Sequence, residues 1–310
     1  MLFTAVAPVL AQMALPAKPV RIVVGAPPGG APDTVARLVA QHMNLGQPVI
    51  VENRNGAAMM IAAEHVARAP ADGSVLLLVS QTAVAVSPVL QKTRSFDATR
   101  DFRGVGLIGV APMVLVAGPS LPAQNVTELI AQAKANPGKI DFGNGGVGTS
   151  PHVTGVLFGL STGTQLTSVP YPGEQAAMVD IMAGRIHMMF ANAASALPHV
   201  RSGKLRALGL TSSARSVVAP DIPTVAESGV PGFSADTWLG IVAPAATPAP
   251  LVAQLNAELN RVLTLPDVRA KLMTHGFAVA PMDTEGFGKF ISDEQDKWGK
   301  LIRDANIKID

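Results

Sequence analysis

The chain contains no cysteine. Disulfides, thiolate zinc sites and a thiol nucleophile are therefore excluded, while the redox compartment stays open. Aromatic residues make up 4% of the chain, with a single tyrosine, which argues against stacking platforms for nucleic-acid bases. Charged residues are scarce at 15%, and 24 basic side chains nearly balance 22 acidic ones. No segment gathers a dense Lys/Arg cluster, so nucleic acid is not an expected partner. No apolar run reaches the 18 or so residues of a membrane span. The six histidines show no H-E-x-x-H or other close ligand spacing, so neither a metal nor a cofactor is expected.

What is present is a small-residue, hydrophobic chain of 310 residues, long enough for two domains. Residues 1–14, MLFTAVAPVLAQMA, are apolar and uncharged. They read as the back half of a secretory signal without its basic beginning, with Val9-Leu10-Ala11 before Gln12 as the cleavage region.

From residue 20 the pattern alternates strand and helix: Val20 to Val24, a helix opened by Asp33 as cap, Val49 to Val51, a helix at 61–68 and a strand at 75–79. This order predicts a doubly wound parallel sheet. Two adjacent β-rich runs follow, Val105 to Val110 and Met113 to Val116. The pattern then restarts. Asn125 and Glu128 form a capping box, Ile140 to Phe142 is a strand, and a helix begins at Pro151 with Ser150 as cap. Strands near Val169, Ile186 to Phe190 and Leu205 to Leu210 alternate with helices at 174–183 and 194–202. A strand at 238–242 and three C-terminal helices complete the chain.

Two loops invite chemistry. The first is Gly25-Ala26-Pro27-Pro28-Gly29-Gly30-Ala31-Pro32-Asp33. Its glycines allow close backbone approach, and a helix start offers free N–H groups to an anion. Spacing alone favours an ordinary strand-to-helix turn. The second, Gly143 to Gly148, matches G-x-G-x-x-G. A dinucleotide fingerprint needs an acidic residue about 20 positions on, and that region holds Thr167, Ser168 and Val169. A carboxylate-binding loop uses the same glycines and helix start without the acid, and is the preferred reading. Gly159-Leu160-Ser161-Thr162-Gly163 matches the hydrolase G-x-S-x-G, but it falls at a helix end and not on a strand-to-helix elbow. Ser150 and His152 lie two apart on a helix start and do not face each other.

Taken in order, several segments resemble the Bug-type receptors, the extracytoplasmic solute-binding proteins related to tripartite tricarboxylate transporters. They are Val20 to Val24 followed by Pro27-Pro28-Gly29-Gly30, Gly46-Gln47-Pro48-Val49 with Val51-Glu52-Asn53-Arg54, Ala71-Asp72-Gly73, Gly143 to His152, and Val169-Pro170-Tyr171. Ser195-Ala196-Leu197-Pro198, Gly203 to Leu208, Pro223 to Gly229 and Ala243-Pro244 continue the series, which covers about residues 18–310. The resemblance implies a type II periplasmic-binding-protein fold: two α/β lobes joined by two crossover segments. The first lobe is expected at 18–112 plus 240–310, the second at 113–239, and residues 1–17 as the signal remnant.

The resemblance further implies a periplasmic receptor and not an enzyme, acting as a monomer. It would hold a di-, tri- or aromatic carboxylate and hand it to a membrane permease or a sensor-kinase ectodomain. The carboxylate would be held by backbone groups and waters of the two loops. The candidate ligand-binding residues are Ala26, Pro28, Gly29, Gly30, Ala31, Asp33, Gln81, Asn144, Gly146, Gly148, Thr149, Ser150, His152, Tyr171 and Asn192. Ala26 stands where relatives carry an aromatic, and Ala191 where an acid is common. A pocket roomy at Ala26 and apolar near Ala191 and Met59 is therefore expected, for an acid lacking an essential amine. The rival reading is a nucleotide- or phosphate-using enzyme built on the glycine loops.

Overall fold

In the computed structural model, residues 15–56, 59–90 and 96–308 are described. The signal-like residues 1–14 lie outside them. The chain runs β1 (Val20–Val24), α1 (Ala31–His42), β2 (Val49–Asn53), α2 (Met60–Ala67) and β3 (Val75–Ser80). A π-helical turn (Thr82–Val86) leads into the short α3 (Ser87–Leu90). Next come β4 (Phe102–Ala111), β5 (Met113–Ala117), α4 (Val126–Ala135), β6 (Asp141–Asn144), α5 (Ser150–Thr162), β7 (Thr167–Pro170), α6 (Glu174–Met182) and β8 (Met188–Asn192). The remainder is α7 (Ala193–Arg201), β9 (Arg206–Leu210), β10 (Thr237–Pro244), α8 (Ala249–Thr264), α9 (Pro266–Thr274), β11 (Ala278–Val279) and α10 (Thr284–Asp304).

These strands form two sheets, ordered β11-β4-β10-β3-β1-β2 and β7-β6-β8-β5-β9. In the first, β1 pairs parallel with β2 and β3, while β10 lies antiparallel between β3 and β4. In the second, β6 is parallel to β7 and β8, and β5 antiparallel to β8 and β9. Helices cover both faces of each sheet, as the alternation of side chains along a strand requires. In β1, Val20, Ile22 and Val24 enter the core under α1, α8 and α9, whereas Val23 enters the core under α2 and α10. In β5, Met113, Leu115 and Ala117 face α4 and α5, whereas Val114 and Val116 face α6 and α7. This is the two-lobed, doubly wound architecture of periplasmic binding proteins.

Two strand-to-strand passages join the sheets. Pro112 alone separates β4 from β5, and residues 211–236 lead from β9 back to β10. The passages are laced together. The Thr211 hydroxyl accepts the Met113 N–H at 2.8 Å and donates to Asp236 Oδ1 at 3.1 Å. The Thr237 hydroxyl donates to the Ala111 carbonyl at 3.0 Å. Helix α10 makes a third link. Its Phe287 and Ile291 belong to a core of the first sheet, and its Trp298, Leu301 and Ile302 to a core of the second. The indole N–H groups of Trp238 and Trp298 both donate to Glu294 Oε2, at 2.8 and 3.0 Å. Gly240 has no room for a side chain, because a Cβ there would lie 2.2 Å from the Phe287 ring.

Two capping expectations are corrected. Gly30, extended at φ −69° and ψ 161°, caps α1, and Pro32 sits in its first turn. Asp33 is instead the third helical residue and turns back to accept the Gly29 N–H at 2.9 Å. Thr149 occupies the cap position of α5, and Ser150, its first residue, is drawn away to a partner on β3's side of the molecule.

Candidate functional site

Strand ends and helix starts of both lobes converge on a cleft of about 410 Å³. The side of the first sheet contributes Ala31, Pro32, Met59, Ser80 and Thr82, the start of β10 with Thr237, Trp238 and Leu239, and the turn His275-Gly276-Phe277. The second contributes Ser150, Glu174, Gln175, Asn192, Ala193, Ala194 and Ser195. This is the crevice at the carboxyl ends of strands where open α/β sheets hold ligands. A neighbouring depression of about 620 Å³ between α7 and α9 shares Ala193, Ala194 and Gly276 with it and forms its outer continuation.

Loop one is held from behind by Asp33, which is only 2% exposed. Burial pushes its carboxyl up, but hydrogen bonds from Arg37, Gly29 and Asn53 outweigh burial and hold it below the usual carboxylate range. Asn53 Nδ2 also donates to the Ala26 carbonyl at 3.0 Å. Asp33 and Asn53 therefore shape the loop, and Ala31 and Pro32 present the helix start to the cleft. The first N–H groups of a helix have no intrahelical acceptor, which leaves this end suited to an anion. Gly29 takes φ +83°, a left-handed conformation that suits glycine. Ala26 is buried. Met59, left-handed at φ 74°, packs its side chain against Gly25 and accepts the Ser80 hydroxyl on its sulfur at 3.2 Å.

Loop two is organised by the fully buried Asn144. Its Nδ2 donates to Ser168 Oγ at 2.9 Å, and its Oδ1 accepts the Gly146 N–H at 3.0 Å. Gly148, at φ +80°, donates its N–H to His152 Nδ1 at 3.3 Å. His152 is buried and stacks on Phe142, and burial pushes its pKa down, favouring the neutral ring that can accept this bond. It thus braces the loop from within and is not among the residues lining the cleft. The Thr149 hydroxyl likewise turns inward, to the Gly146 carbonyl at 2.7 Å. Ser150 reaches the cleft. Its hydroxyl donates to Gln81 Oε1 at 2.8 Å, tying the second lobe to the end of β3. Gln81 is 1% exposed, and its amide nitrogen has no partner. A buried donor left unpaired is costly; Gln81 lies behind the cleft lining, to which its neighbours Ser80 and Thr82 belong.

Of the remaining candidates, the Tyr171 hydroxyl is engaged by Asp180 at 2.8 Å, away from the cleft. Asn192 lines the cleft, but its backbone and side-chain N–H donors are taken by Glu174. The Glu174 carboxylate accepts the Asn192 N–H at 3.0 Å and also the Asn192 side-chain amide and the Ser195 hydroxyl. Burial pushes the Glu174 carboxyl above its usual range, against the opposing pull of these hydrogen bonds.

The expectation of a pocket made apolar by Ala191 is corrected. Ala191 is buried in the core between β8 and helices α6 and α7, so its side chain does not line the cleft. The acid comes instead from Glu174. Its position, first in the helix that follows the Val169-Pro170-Tyr171 strand, is a helix-start signal of the same kind as those of the two glycine loops. His275 and Thr237 had no such local signal, because only the return of the chain into the first sheet brings them to the cleft. Among the described residues no cluster of three potential metal ligands occurs, and no helix is long and apolar enough to cross a membrane.

The family model described as tripartite tricarboxylate transporter family receptor matches residues 35–307. The protein BugT of Bordetella pertussis is 36% identical over 305 residues, 95% of this chain and 91% of its own length. An R. palustris protein solved with adipate superposes at a TM-score of 0.80 with 30% identity, covering 94% of this chain and 99% of that one. MatC from Rhodopseudomonas palustris, solved with bound malate, gives a TM-score of 0.76 at 30% identity, covering 93% and 99%.

Proposed function

The chain belongs to the tripartite tricarboxylate transporter family of receptors, and on that premise we propose that it captures a small organic carboxylate in its interlobe cleft, as a receptor and not as an enzyme. The observation that carries this reading is the junction of Gln81 and Ser150. There a helix start from the second lobe meets a buried, unpartnered amide donor from the first. A carboxylate placed between them accepts from the Gln81 amide and from the N–H groups at the starts of α1 and α5. Adipate and malate in the two solved relatives support the ligand class.

We take the lobes as residues 18–112 with 240–310 and residues 113–239, the second joint falling within β10. Contact with both lobes favours the closed arrangement, which is the state a membrane permease or a sensor ectodomain would read. The protein works in the periplasm as a monomer. Asp33, Asn53, Asn144 and His152 act by shaping the two loops. Ala31 and Ser150 line the cleft, and the Gln81 amide reaches the ligand from behind that lining.

A thermal-shift panel tests the reading, since a ligand that binds the native state raises Tm. Mono-, di- and tricarboxylates are screened beside nucleotides and phosphate. At least one carboxylate is expected to raise Tm by several degrees. A shift with nucleotides alone would favour a nucleotide-using enzyme instead.

A further inference from the structure

Among the described residues, Glu174 and His275 are the ionisable side chains that line the cleft, and no described lysine or arginine does. A carboxylate in a site read as binding carboxylates needs an explanation. Its environment is built to hold it: Asn192 and Ser195, from the start of α7, donate three hydrogen bonds to it. An ionised carboxylate offers about four lone-pair sites. Oε1 takes the Asn192 N–H and the Ser195 hydroxyl, and Oε2 takes the Asn192 amide. One acceptor site on Oε2 is left over.

A second ligand carboxylate beside Glu174 would meet like charge in a partly desolvated place. A hydroxyl or ammonium there would meet a fixed, ready acceptor, and a charge-assisted hydrogen bond is stronger than a neutral one. We propose that Glu174 is the specificity-determining residue of the cleft, and that it selects organic acids carrying a hydrogen-bond donor, hydroxyl or ammonium, over the unsubstituted acids of the same skeleton. The inference rests on the carboxylate reading of the cleft. It reverses the expectation, drawn from Ala191, of an acid with no use for an amine.

The test uses matched ligand sets that differ at one substituent: succinate, malate and aspartate; glutarate, 2-hydroxyglutarate and glutamate; adipate, 2-hydroxyadipate and 2-aminoadipate. Calorimetry on the whole protein is compared with Glu174→Gln, which keeps size and an acceptor oxygen but removes the charge. Glu174→Asp keeps the charge on a shorter arm. The unmodified protein is expected to bind a hydroxy or amino acid roughly tenfold or more tighter than its unsubstituted partner. Glu174→Gln should shrink that ratio, most for the amino acid, whose positive charge loses its counter-charge. Glu174→Asp should retain part of it. A preference for the amino acid identifies ammonium as the donor, and equal preference for the hydroxy acid identifies hydroxyl. If acids bind but the unsubstituted ones bind as well, or if Glu174→Gln leaves the ratios unchanged, this inference is overturned while the carboxylate reading stands. If no acid of any set binds, the carboxylate reading fails and takes this inference with it.

Discussion

Gln81, Asp33 and Gly148 show how polar residues divide between holding the site and facing it. Asp33 has three donors gathered on its carboxylate and is buried away from the cleft lining, so it holds the loop and does not face a ligand. Gln81 has its oxygen bonded to Ser150 and both N–H groups of its amide unmet. Gly148 supplies geometry: at φ +80° an alanine is strained, and its Cβ would sit 2.6 Å from Leu90 Cδ1. The αL penalty for a non-glycine residue is roughly 1–2 kcal/mol, before any clash. Gly148→Ala should therefore lower Tm by a few degrees and weaken ligand binding together. Thermal melts with and without ligand check both, and a variant that melts and binds like the parent would remove Gly148 from the account. A larger residue such as valine adds bulk against Leu90, so it would test folding more than binding.

Among the elements, the joint between the lobes carries a titratable group. Asp236 lies between β9 and β10, with its carboxyl pushed up to about 6 by burial and by Glu294, against the Thr211 hydrogen bond and Lys297. An unfolded aspartate titrates near 3.9. The native state thus holds the proton more tightly than the unfolded chain. The stability this gives is full below about pH 4 and is lost as pH rises through about 6. At 1.36 kcal/mol per unit the loss is no more than about 3 kcal/mol. Asp236→Asn keeps an acceptor for Thr211 and cannot ionise. The stability of the parent relative to this variant should fall between pH 4 and 7 and then level off. Parallel melting profiles across that range would contradict the buried joint.

The same scale shows what was legible from sequence. Strand and helix order, both glycine loops, the Asn125–Glu128 cap and the helix-end position of Gly163 follow from local periodicity and turn chemistry. The caps of α1 and α5 did not, because Asp33 and Ser150 are good capping residues in isolation. Their side chains are claimed by Arg37 and Asn53, and by Gln81, which are distant in sequence or set by the fold. Glu174 escaped for a related reason. Its partners Asn192 and Ser195 lie some twenty residues on, across a strand.

At the scale of the molecule, two doubly wound lobes are joined by two laced passages and by α10, which ends in the core of the second lobe. The cleft between them is lined by helix starts and polar groups, and Glu174 is the one acid among its described lining residues. In the proposed reading, the anion is held through backbone N–H groups and one amide, with no described lysine or arginine in the walls. Its central claim concerns Gln81, the buried donor that awaits an acceptor. The most direct measurement is calorimetric titration, with the tightest carboxylate of the panel, of the parent protein and of Gln81→Met. Methionine fills similar volume without the amide, so the ligand-free melting temperature should change little. One-site binding in the parent, weakened roughly tenfold or more in Gln81→Met, is the predicted result. Equal affinity in the two proteins would contradict the interlobe carboxylate site described above.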